Sequence, residues 1–266
     1  MQTSLKDKVV VVTGSSLGIG RATAEAFARE GAKVVVNYRS HPEQADALVE
    51  QIRAGGGTAV AHQADVAQFD GVQGLVQRAV DEFGRLDIAV SNAAFSEREP
   101  MLDADIDKFR RTIDVTMWGA YYLTRCAGQQ MRSQGDGGSI CIVGSPHSFL
   151  AIPGALPYNM AKAAIEHMAK TAALELAPYK IRVNTIEPGW TDTPGERKFF
   201  SEETLQQAGR SIPVGRLGTP EEMAECILFL CNPQHEYVTG ATLLVDGGIS
   251  LPWWSDSRRA DEDTGT

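Results

Sequence analysis

The amino-acid sequence predicts an α/β fold in which one doubly wound parallel sheet of seven strands carries helices on both faces. Short apolar runs alternate with amphipathic segments along most of the chain. The apolar runs are continuous rather than alternating, as in parallel strands that are buried on both faces. No Pro/Ser-rich linker or internal repeat divides the 266 residues. We therefore expect a single domain over residues 1–254, followed by a polar tail at 255–266.

The elements follow one another in a regular order. The strands are expected at residues 9–12, 34–36, 58–62, 86–90, 139–143, 182–186 and 242–245. The helices are expected at 19–29, 43–54, 72–83, 106–131, 155–176 and 220–230. Gly31 ends the first helix, and three glycines at 55–57 end the second. Right-handed crossovers place such helices on both faces of the sheet.

Composition and charge narrow the range of functions. A net charge of −9 argues against nucleic acid or an anionic membrane as the main partner. No apolar run approaches the roughly 18 residues of a membrane span, and no targeting leader precedes the first strand. Cys126, Cys141, Cys226 and Cys231 lie in apolar contexts without metal-site or disulfide spacing, so we expect reduced thiols in a cytoplasmic protein. The five histidines are scattered, which predicts no metal site.

Two segments depart from the regular alternation of strands and helices. Residues 191–211 lie between a strand and a helix, are partly helical by pattern, and contain Pro194 and Gly195. A long insertion outside the carboxyl end of a strand is typical of a lid. Trp253 and Trp254 precede the polar tail, and we expect them to dock on a neighbouring surface.

A glycine-rich loop joins the first strand to the first helix. It contains Gly14, Ser16, Gly18, Ile19 and Gly20, with the spacing Gly-x-x-x-Gly-x-Gly. Glycines let the backbone approach a pyrophosphate, and the helix N-terminus supplies N–H groups and the positive end of its dipole. A tight strand–helix turn without a ligand is the alternative.

The end of the second strand predicts the choice of nucleotide. An acidic residue at this place favours NAD, whereas an arginine accommodates the 2′-phosphate of NADP. The sequence here has Tyr38, Arg39 and Ser40 and no carboxylate. These residues favour NADP or the use of both nucleotides, with a solvent-facing arginine as the alternative.

Tyr158 and Lys162 are four residues apart in a predicted helix, so both project from one face. A phenol with a pKa of about 10 is a poor acid–base catalyst at neutral pH. A nearby ammonium stabilises the phenolate and is expected to lower that pKa. Ser145 lies thirteen residues upstream of Tyr158.

These motifs together resemble the short-chain dehydrogenase/reductase family, with its Rossmann-type fold, over about residues 5–250. The residues that carry the resemblance, besides the glycine loop, are Asp65, Val66, Ser91, Asn92, Ala93, Ala94, Ser145, Tyr158, Lys162, Pro188 and Gly189. Residues 219–222, 238–240 and 246–248 are similar to C-terminal signatures of that family.

The resemblance implies an NAD(P)-dependent oxidoreductase acting on a small alcohol or carbonyl compound. Tyr158 is then the general acid in carbonyl reduction and the base in alcohol oxidation. Ser145 hydrogen-bonds the reacting oxygen, and Lys162 holds the nicotinamide ribose. The remaining implied cofactor contacts are Asp65 and Val66 at adenine, Asn92 and Ala93 at a ribose, and Thr191 and Thr193, after Pro188 and Gly189, at the carboxamide and pyrophosphate.

The sequence departs from the family pattern at the fourth catalytic position. Thr116 stands where the family has an asparagine that helps to hold a water in a proton relay. A hydroxyl reaches a water at a different distance, so we expect this relay to differ. Ala94 also replaces a glycine near the cofactor.

The substrate is less constrained than the reaction. Within the family the chain looks most like glucose 1-dehydrogenases, and His147, Glu97 and Trp190 are the candidate substrate residues beside Ser145. An apolar pocket is the alternative, built from Phe95, Phe149, Leu150, Ile152, Leu156, Trp190 and Trp253. Such a pocket suits a 3-oxoacyl thioester, a broad range of ketones or a steroid-like alcohol. A nucleotide-binding regulator without turnover is a further alternative.

The resemblance also implies a homotetramer. In most relatives the helices matching 106–131 and 155–177 pair across a dimer axis. The C-terminal strand region makes the second interface, where Trp253 and Trp254 would cap a neighbouring site.

Overall fold

The computed structural model describes residues 5–251, which form one parallel sheet with helices on both faces. The strands are β1 (Val9–Val12), β2 (Lys33–Tyr38), β3 (Thr58–Gln63), β4 (Ile88–Ser91), β5 (Gly138–Val143), β6 (Ile181–Pro188) and β7 (Thr242–Val245). Their spatial order is β3-β2-β1-β4-β5-β6-β7, and every neighbouring pair is parallel. The expected seven-stranded doubly wound sheet is confirmed.

The helices cover both faces of this sheet. They are α1 (Gly18–Arg29), α2 (Pro42–Ala54), α3 (Phe69–Phe83), α4 (Ile106–Ile113), α5 (Gly119–Gln134), α6 (Leu156–Leu176), α7 (Glu202–Ser211) and α8 (Pro220–Cys231). Helices α1, α2 and α8 pack on one face, where their apolar residues meet Val10 and Val12 of β1. Helices α3, α5 and α6 pack on the other face against Val9 and Val11. Both faces of β1 are therefore buried, which explains its uninterrupted valines.

Most element boundaries agree with the sequence pattern to within two or three residues, and the departures have local causes. Strand β4 begins at Ile88 rather than at residue 86, because the Leu86 N–H donates to the side chain of Gln134 and not to a neighbouring strand. The long helical region at 106–131 is continuous as far as Gln134. It contains a π-helical turn at Asp114–Trp118.

The order of the strands creates a crevice at one edge of the sheet. Strand β1 lies between β2 and β4, so the chain leaves β1 and β4 towards opposite sides. In open α/β sheets ligands bind at such a switch point, outside the carboxyl ends of the strands. The glycine loop after β1 and the loop after β4 both open onto this crevice.

A buried asparagine holds three strand ends together beneath the crevice. The side-chain oxygen of Asn37, at the end of β2, accepts a hydrogen bond from Gly14 N at 3.0 Å. Its amide nitrogen donates to Ala64 O after β3 at 3.1 Å. Its backbone pairs with Ser15 in both directions. Since Asn37 is only 2% exposed, these bonds position the glycine loop without competition from water.

Asn37→Ala is expected to lower the free energy of unfolding by about 2 kcal/mol, because it leaves buried backbone groups of the loop without partners. Urea unfolding measures this change. Glu50→Ala, at an exposed position on α2, is the control and should change stability by less than about 0.5 kcal/mol. A cost at Asn37 no larger than at Glu50 would contradict this role.

Candidate active site

The glycine loop packs tightly against the start of the loop after β4. Gly14 has a φ of +60°, and a Cβ added there would lie 3.0 Å from Ala93 Cα. A Cβ on Gly20 would lie 2.5 Å from the amide nitrogen of Asn92. Neither position therefore accepts a side chain without moving backbone.

The N-terminus of α1 suits a phosphate group. Helix α1 begins at Gly18, and no side chain caps its first turn. The first N–H groups of a helix have no partner within the helix, and its dipole attracts negative charge. Thr193 faces Gly18 across a narrow gap, since a Cβ built on that glycine would lie 3.5 Å from it. This uncapped, side-chain-free cradle fits the pyrophosphate of a nicotinamide dinucleotide.

Asn92 braces this cradle from the side of β4. Its amide nitrogen donates to Thr13 O at 2.9 Å and to Gly14 O at 3.1 Å. The Thr13 hydroxyl accepts from the backbone N–H groups of Asn92 and Ala93. The Asn92 side chain, which we expect beside a ribose, thus holds the glycine loop in place.

The adenosine end of the crevice has both free and engaged side chains. Arg39 and Ser40 are exposed at the end of β2, and the Arg39 guanidinium makes no ion pair within the described part of the chain. Tyr38 is half-buried against the core. The carboxylate of Asp65, expected beside adenine, forms an ion pair with Arg111 at 2.9 Å.

Three further residues expected to contact the cofactor are buried or half-buried. Val66 is buried and lies so close to Gly119 that a Cβ on the glycine would be 2.9 Å from Val66 Cγ2. Ser16 and Ile19 are half-buried within the glycine loop and the first turn of α1. These positions leave the backbone, rather than long side chains, facing the crevice.

The chain after β6 approaches the crevice from the opposite side. Pro188 is the last residue of β6 and is buried. Gly189 passes so near the C-terminal region that an added Cβ would lie 2.5 Å from Asp246 Cα. The buried Thr191 donates from its hydroxyl to Gly189 O at 3.3 Å, so it shapes this turn.

Ser145 lies just beyond the carboxyl end of β5. It precedes a 3-10 turn at Pro146–Ser148 and accepts a hydrogen bond from the His147 N–H at 3.3 Å. The His147 ring contacts the Tyr158 ring edge-on, with 5.0 Å between centroids. This serine turn, residues 145–148, is thus in contact with the first turns of α6.

Lys162 is buried beneath Tyr158. Its ammonium donates to Val143 O at 2.6 Å and lies 5.2 Å from the centroid of the Tyr158 ring. Burial lowers the pKa of Lys162 to about 7, while the nearby Glu187 carboxylate acts to raise it.

The structure corrects the expectation that a neighbouring lysine lowers the pKa of Tyr158. Burial raises this pKa to about 12, and the cation that opposes the rise is Arg98. Lys162 lies at the ring and donates to a backbone carbonyl. The effect of burial on this pKa therefore exceeds that of the neighbouring charges.

Glu187 is a site residue that the sequence reasoning missed. It is 2% exposed in β6, and burial raises its pKa. The Ser148 hydroxyl donates to its carboxylate at 2.5 Å. A carboxylate within a predicted buried strand is the available signal, because buried acids need partners.

Thr116 has a structural partner for its hydroxyl. It lies in the π-helical turn between α4 and α5, and π-turns are frequent at functional sites. The hydroxyl donates to Phe95 O and accepts from Phe95 N, both at 3.0 Å. Thr116 therefore joins the central helix to the loop after β4.

His147 is held as a neutral imidazole. Its Nδ1 lies 2.6 Å from Asn159 Oδ1, and the Asn159 amide nitrogen donates to Ile152 O. This network makes Nδ1 the donor and leaves Nε2 as an acceptor. Burial, together with the charges of Arg98 and Lys162, lowers the pKa of His147 to about 4.

The mouth of the crevice lies between the loop after β4 and the segment after β6. Glu97 forms an ion pair at 2.6 Å with Lys198, whose ammonium also lies 5.2 Å from the Phe95 ring centroid. The Trp190 indole N–H donates to Glu196 at 2.8 Å. Glu97, expected to contact substrate, thus has a partner across this mouth, whereas the partner of Trp190 lies in the same segment after β6.

Several other sequence features are seen in the structure or lie outside its described part. The four cysteines are free thiols, and three of them are buried. Within residues 5–251 no group of three His, Cys, Asp or Glu side chains is placed to hold a metal ion. No helix in that range has the length and hydropathy of a membrane span. Trp253, Trp254 and the tail at 255–266 lie outside the described residues.

Comparison with known proteins agrees with this geometry. The family model described as enoyl-(acyl carrier protein) reductase matches residues 14–250. Glucose 1-dehydrogenase 2 of Bacillus subtilis is 38% identical over 252 residues, which cover 94% of this chain and 98% of that protein. L-rhamnose 1-dehydrogenase (NAD(P)(+)) of Azotobacter vinelandii is 39% identical over 249 residues, or 92% of this chain and 97% of the relative.

Solved structures show the same likeness in three dimensions. The structure of 7 alpha-hydroxysteroid dehydrogenase complexed with NADH and 7-oxo glycochenodeoxycholic acid has a TM-score of 0.87. It is 32% identical, and the match covers 92% of this chain and 94% of that one. With the nucleotide cradle and the fold, these matches show that the chain belongs to the short-chain dehydrogenase/reductase family of NAD(P)-dependent oxidoreductases acting on CH–OH groups.

Proposed function

We propose that Ser145, Tyr158 and Lys162 interconvert an alcohol and a carbonyl group on a sugar or polyol. The observation that carries this proposal is the arrangement of Tyr158 above a buried ammonium on one face of α6. The serine turn lies beside it, connected through His147. The nicotinamide, when bound, supplies or accepts the hydride.

Each of the three side chains has a distinct role in the proposal. The raised pKa of Tyr158 keeps its phenol protonated at neutral pH, so the hydroxyl donates a proton to the carbonyl oxygen. Ser145 donates a hydrogen bond to the same oxygen as negative charge develops there. In the oxidative direction Tyr158 takes up the proton, and the charge of Arg98 stabilises the phenolate.

The cofactor is held by backbone at the pyrophosphate and by side chains at the two ends. The proposed contacts are Gly14, Ser16, Gly18, Ile19, Gly20, Tyr38, Arg39, Ser40, Asp65, Val66, Asn92, Ala93, Tyr158, Lys162, Pro188, Gly189, Thr191 and Thr193. We favour NADP or dual use, since Arg39 is exposed at the end of β2 and makes no ion pair with any residue in the range 5–251. The segment at 191–211, with α7 inside it, is the proposed lid.

A polyhydroxylated substrate is favoured by the neutral His147. Its Nε2 is an acceptor beside Tyr158, and a substrate hydroxyl is a matching donor. Two relatives are named for glucose and rhamnose, both of which are sugars. The aromatic mouth formed by Trp190, Phe199 and Phe200 supports a 3-oxoacyl or broad carbonyl reductase as the second candidate.

Location and assembly are also proposals. We infer a cytoplasmic enzyme, since its four thiols are free. We infer a homotetramer, because large apolar side chains are exposed on the two helices expected to pair. Examples are Tyr121 on α5 and Leu174 on α6, and Phe229 and Leu244 are exposed on the other expected interface.

A substrate panel with NADP(H) and NAD(H) tests the proposed function. Turnover of polyhydroxylated substrates, assayed as aldoses and as sugar acids, above that of acetoacetyl thioesters is expected, and Tyr158→Phe should lower kcat by about 10²- to 10⁴-fold by removing the proton donor. Tyr179→Phe, on the exposed turn after α6, is the matched control. Tight NADPH binding without turnover of any alcohol or carbonyl would instead support the nucleotide-binding regulator.

The nucleotide preference is tested at Arg39. Arg39→Ala should lower the ratio of kcat/KM for NADP to that for NAD by about 10- to 100-fold, because a charge-assisted phosphate contact is lost. Arg110→Ala removes an exposed arginine on α4 and should leave this ratio unchanged. A preference for NAD that Arg39→Ala does not alter would refute the phosphate contact.

Glu187 is expected to set the protonation of Lys162. The carboxylate favours the charged ammonium, so Glu187→Gln should lower the pKa of Lys162 below its value of about 7. As the pH rises, Lys162 would then lose its proton at a lower pH than in the wild type. Titration of ¹³Cε-labelled lysine by NMR measures this, with Glu175→Gln, exposed on α6, as the control. A pKa that rises or stays the same in Glu187→Gln would show that the two groups do not interact.

A further inference from the structure

Arg98 is a half-buried cation that makes no ion pair within residues 5–251, although its charge and that of Glu196 act on each other through space. It lies in the loop after β4, and its Nη1 is fully buried with no hydrogen-bond acceptor among residues 5–251. No carboxylate in that range lies within ion-pair distance of it. Its contact is with an aromatic ring, because the guanidinium carbon lies 5.5 Å from the centroid of Phe199.

The carboxylates nearest to Arg98 are engaged elsewhere. Glu97 pairs with Lys198 at 2.6 Å, and Glu99 pairs with Lys108 at the same distance. Glu196 accepts from the Trp190 indole at 2.8 Å. A guanidinium removed from water is unfavourable unless an anion compensates it. Within residues 5–251 no carboxylate therefore compensates the charge of Arg98 through direct contact.

The residues on either side of Arg98 tie its loop to two segments near the reacting groups. On one side Glu97 is bound to Lys198 of the segment after β6. On the other side Glu99 N donates to Gly154 O at 2.9 Å, four residues before Tyr158. The charge of Arg98 also acts on its surroundings, since it opposes the rise in the pKa of Tyr158 and contributes to the lowered pKa of His147. The guanidinium therefore lies close enough to both side chains for its charge to affect them.

We propose that Arg98 binds a carboxylate of the substrate while the alcohol or carbonyl group lies at Tyr158. This inference rests on the proposed oxidoreductase function and narrows its substrate class. A planar guanidinium matches a carboxylate with two parallel hydrogen bonds. The Phe199 ring against the guanidinium excludes water from one face, which strengthens the interaction.

The substrate class is then a hydroxy acid or oxo acid rather than a neutral alcohol. The proposal is compatible with the acceptor nitrogen of His147, because a sugar acid carries both hydroxyl groups and a carboxylate. A neutral aldose lacks the anion and leaves Arg98 unpaired. The preference for carboxylate-containing substrates over neutral ones is expected to be large, because a site built for a charged group disfavours a ligand that lacks it.

Two matched pairs of probes test this subsite, each differing in charge but hardly in shape. Acetoacetate and acetoacetamide serve in the reductive direction, and D-gluconate and D-gluconamide in the oxidative direction. For the wild type, kcat/KM should be higher for the carboxylate in at least one pair. In Arg98→Gln the ratio of carboxylate to amide should fall by about 10- to 100-fold, mainly through KM.

Three further variants make the result specific. Arg110→Gln has the same change in net charge at an exposed position and should leave the ratio unaltered. Arg98→Lys keeps the charge without the planar fork and should give an intermediate ratio, and it replaces Arg98→Gln if that variant does not fold. Glu196→Gln removes the nearby carboxylate that competes for Arg98, so it should preserve or raise the preference for carboxylates. A loss in Glu196→Gln equal to that in Arg98→Gln would mean that Arg98 acts through Glu196, which would overturn the proposal.

The outcomes separate this inference from the proposed function. If the ratio of kcat/KM for the carboxylate to that for the amide is the same in wild type and Arg98→Gln, the subsite is overturned. The oxidoreductase function would still stand. If neither pair is turned over, calorimetric titration of the NADPH complex with acetoacetate and D-gluconate decides. Binding that Arg98→Gln abolishes would support the subsite although the reaction fails, and absence of binding by the wild type would overturn it.

Discussion

The site is organised around the burial of one ammonium group. Lys162 lies beneath Tyr158 and donates to the carbonyl of Val143 at the end of β5. This bond ties the first turns of α6 to the sheet edge, so the positions of Tyr158 and of the serine turn follow from it. The interior is a poor solvent for such a charge, and the pKa of Lys162 falls to about 7. Near neutral pH the lysine is therefore poised between its charged and neutral forms.

Two cations near Tyr158 differ in how their charges are balanced. Lys162 has the buried carboxylate of Glu187 within its field. Arg98, whose charge also acts on Tyr158, has no carboxylate within ion-pair distance among the described residues. Arg98 is for this reason the cation for which we propose an anionic group of the substrate.

The fold and the nucleotide cradle could be predicted from the sequence because their signals are local. Continuous valines mark β1, and the spacing of Gly14, Gly18 and Gly20 marks the loop that follows it. The electrostatics of the site could not be predicted in the same way. The partner of Glu97 is 101 residues away, at Lys198. No local sequence pattern indicates that Arg98 makes no ion pair within residues 5–251.

The pKa of Tyr158 shows the same limitation. The sequence places a lysine four residues from the tyrosine, which predicts a lowered pKa. Only the folded chain shows that the ammonium is engaged by a backbone carbonyl and that burial has the larger effect. Asn37 and Glu187 were overlooked for a related reason. Their importance comes from contacts between strand ends that are adjacent in space and distant in sequence.

Burial keeps Tyr158 protonated by raising its pKa. NMR titration of ¹³Cζ-labelled tyrosine without added ligands, with the resonance assigned by Tyr158→Phe, measures this pKa. Tyr158 is expected to remain protonated beyond the pH of about 10 at which an ordinary tyrosine ionises. A midpoint at or below about 8 would instead mean that neighbouring cations outweigh burial.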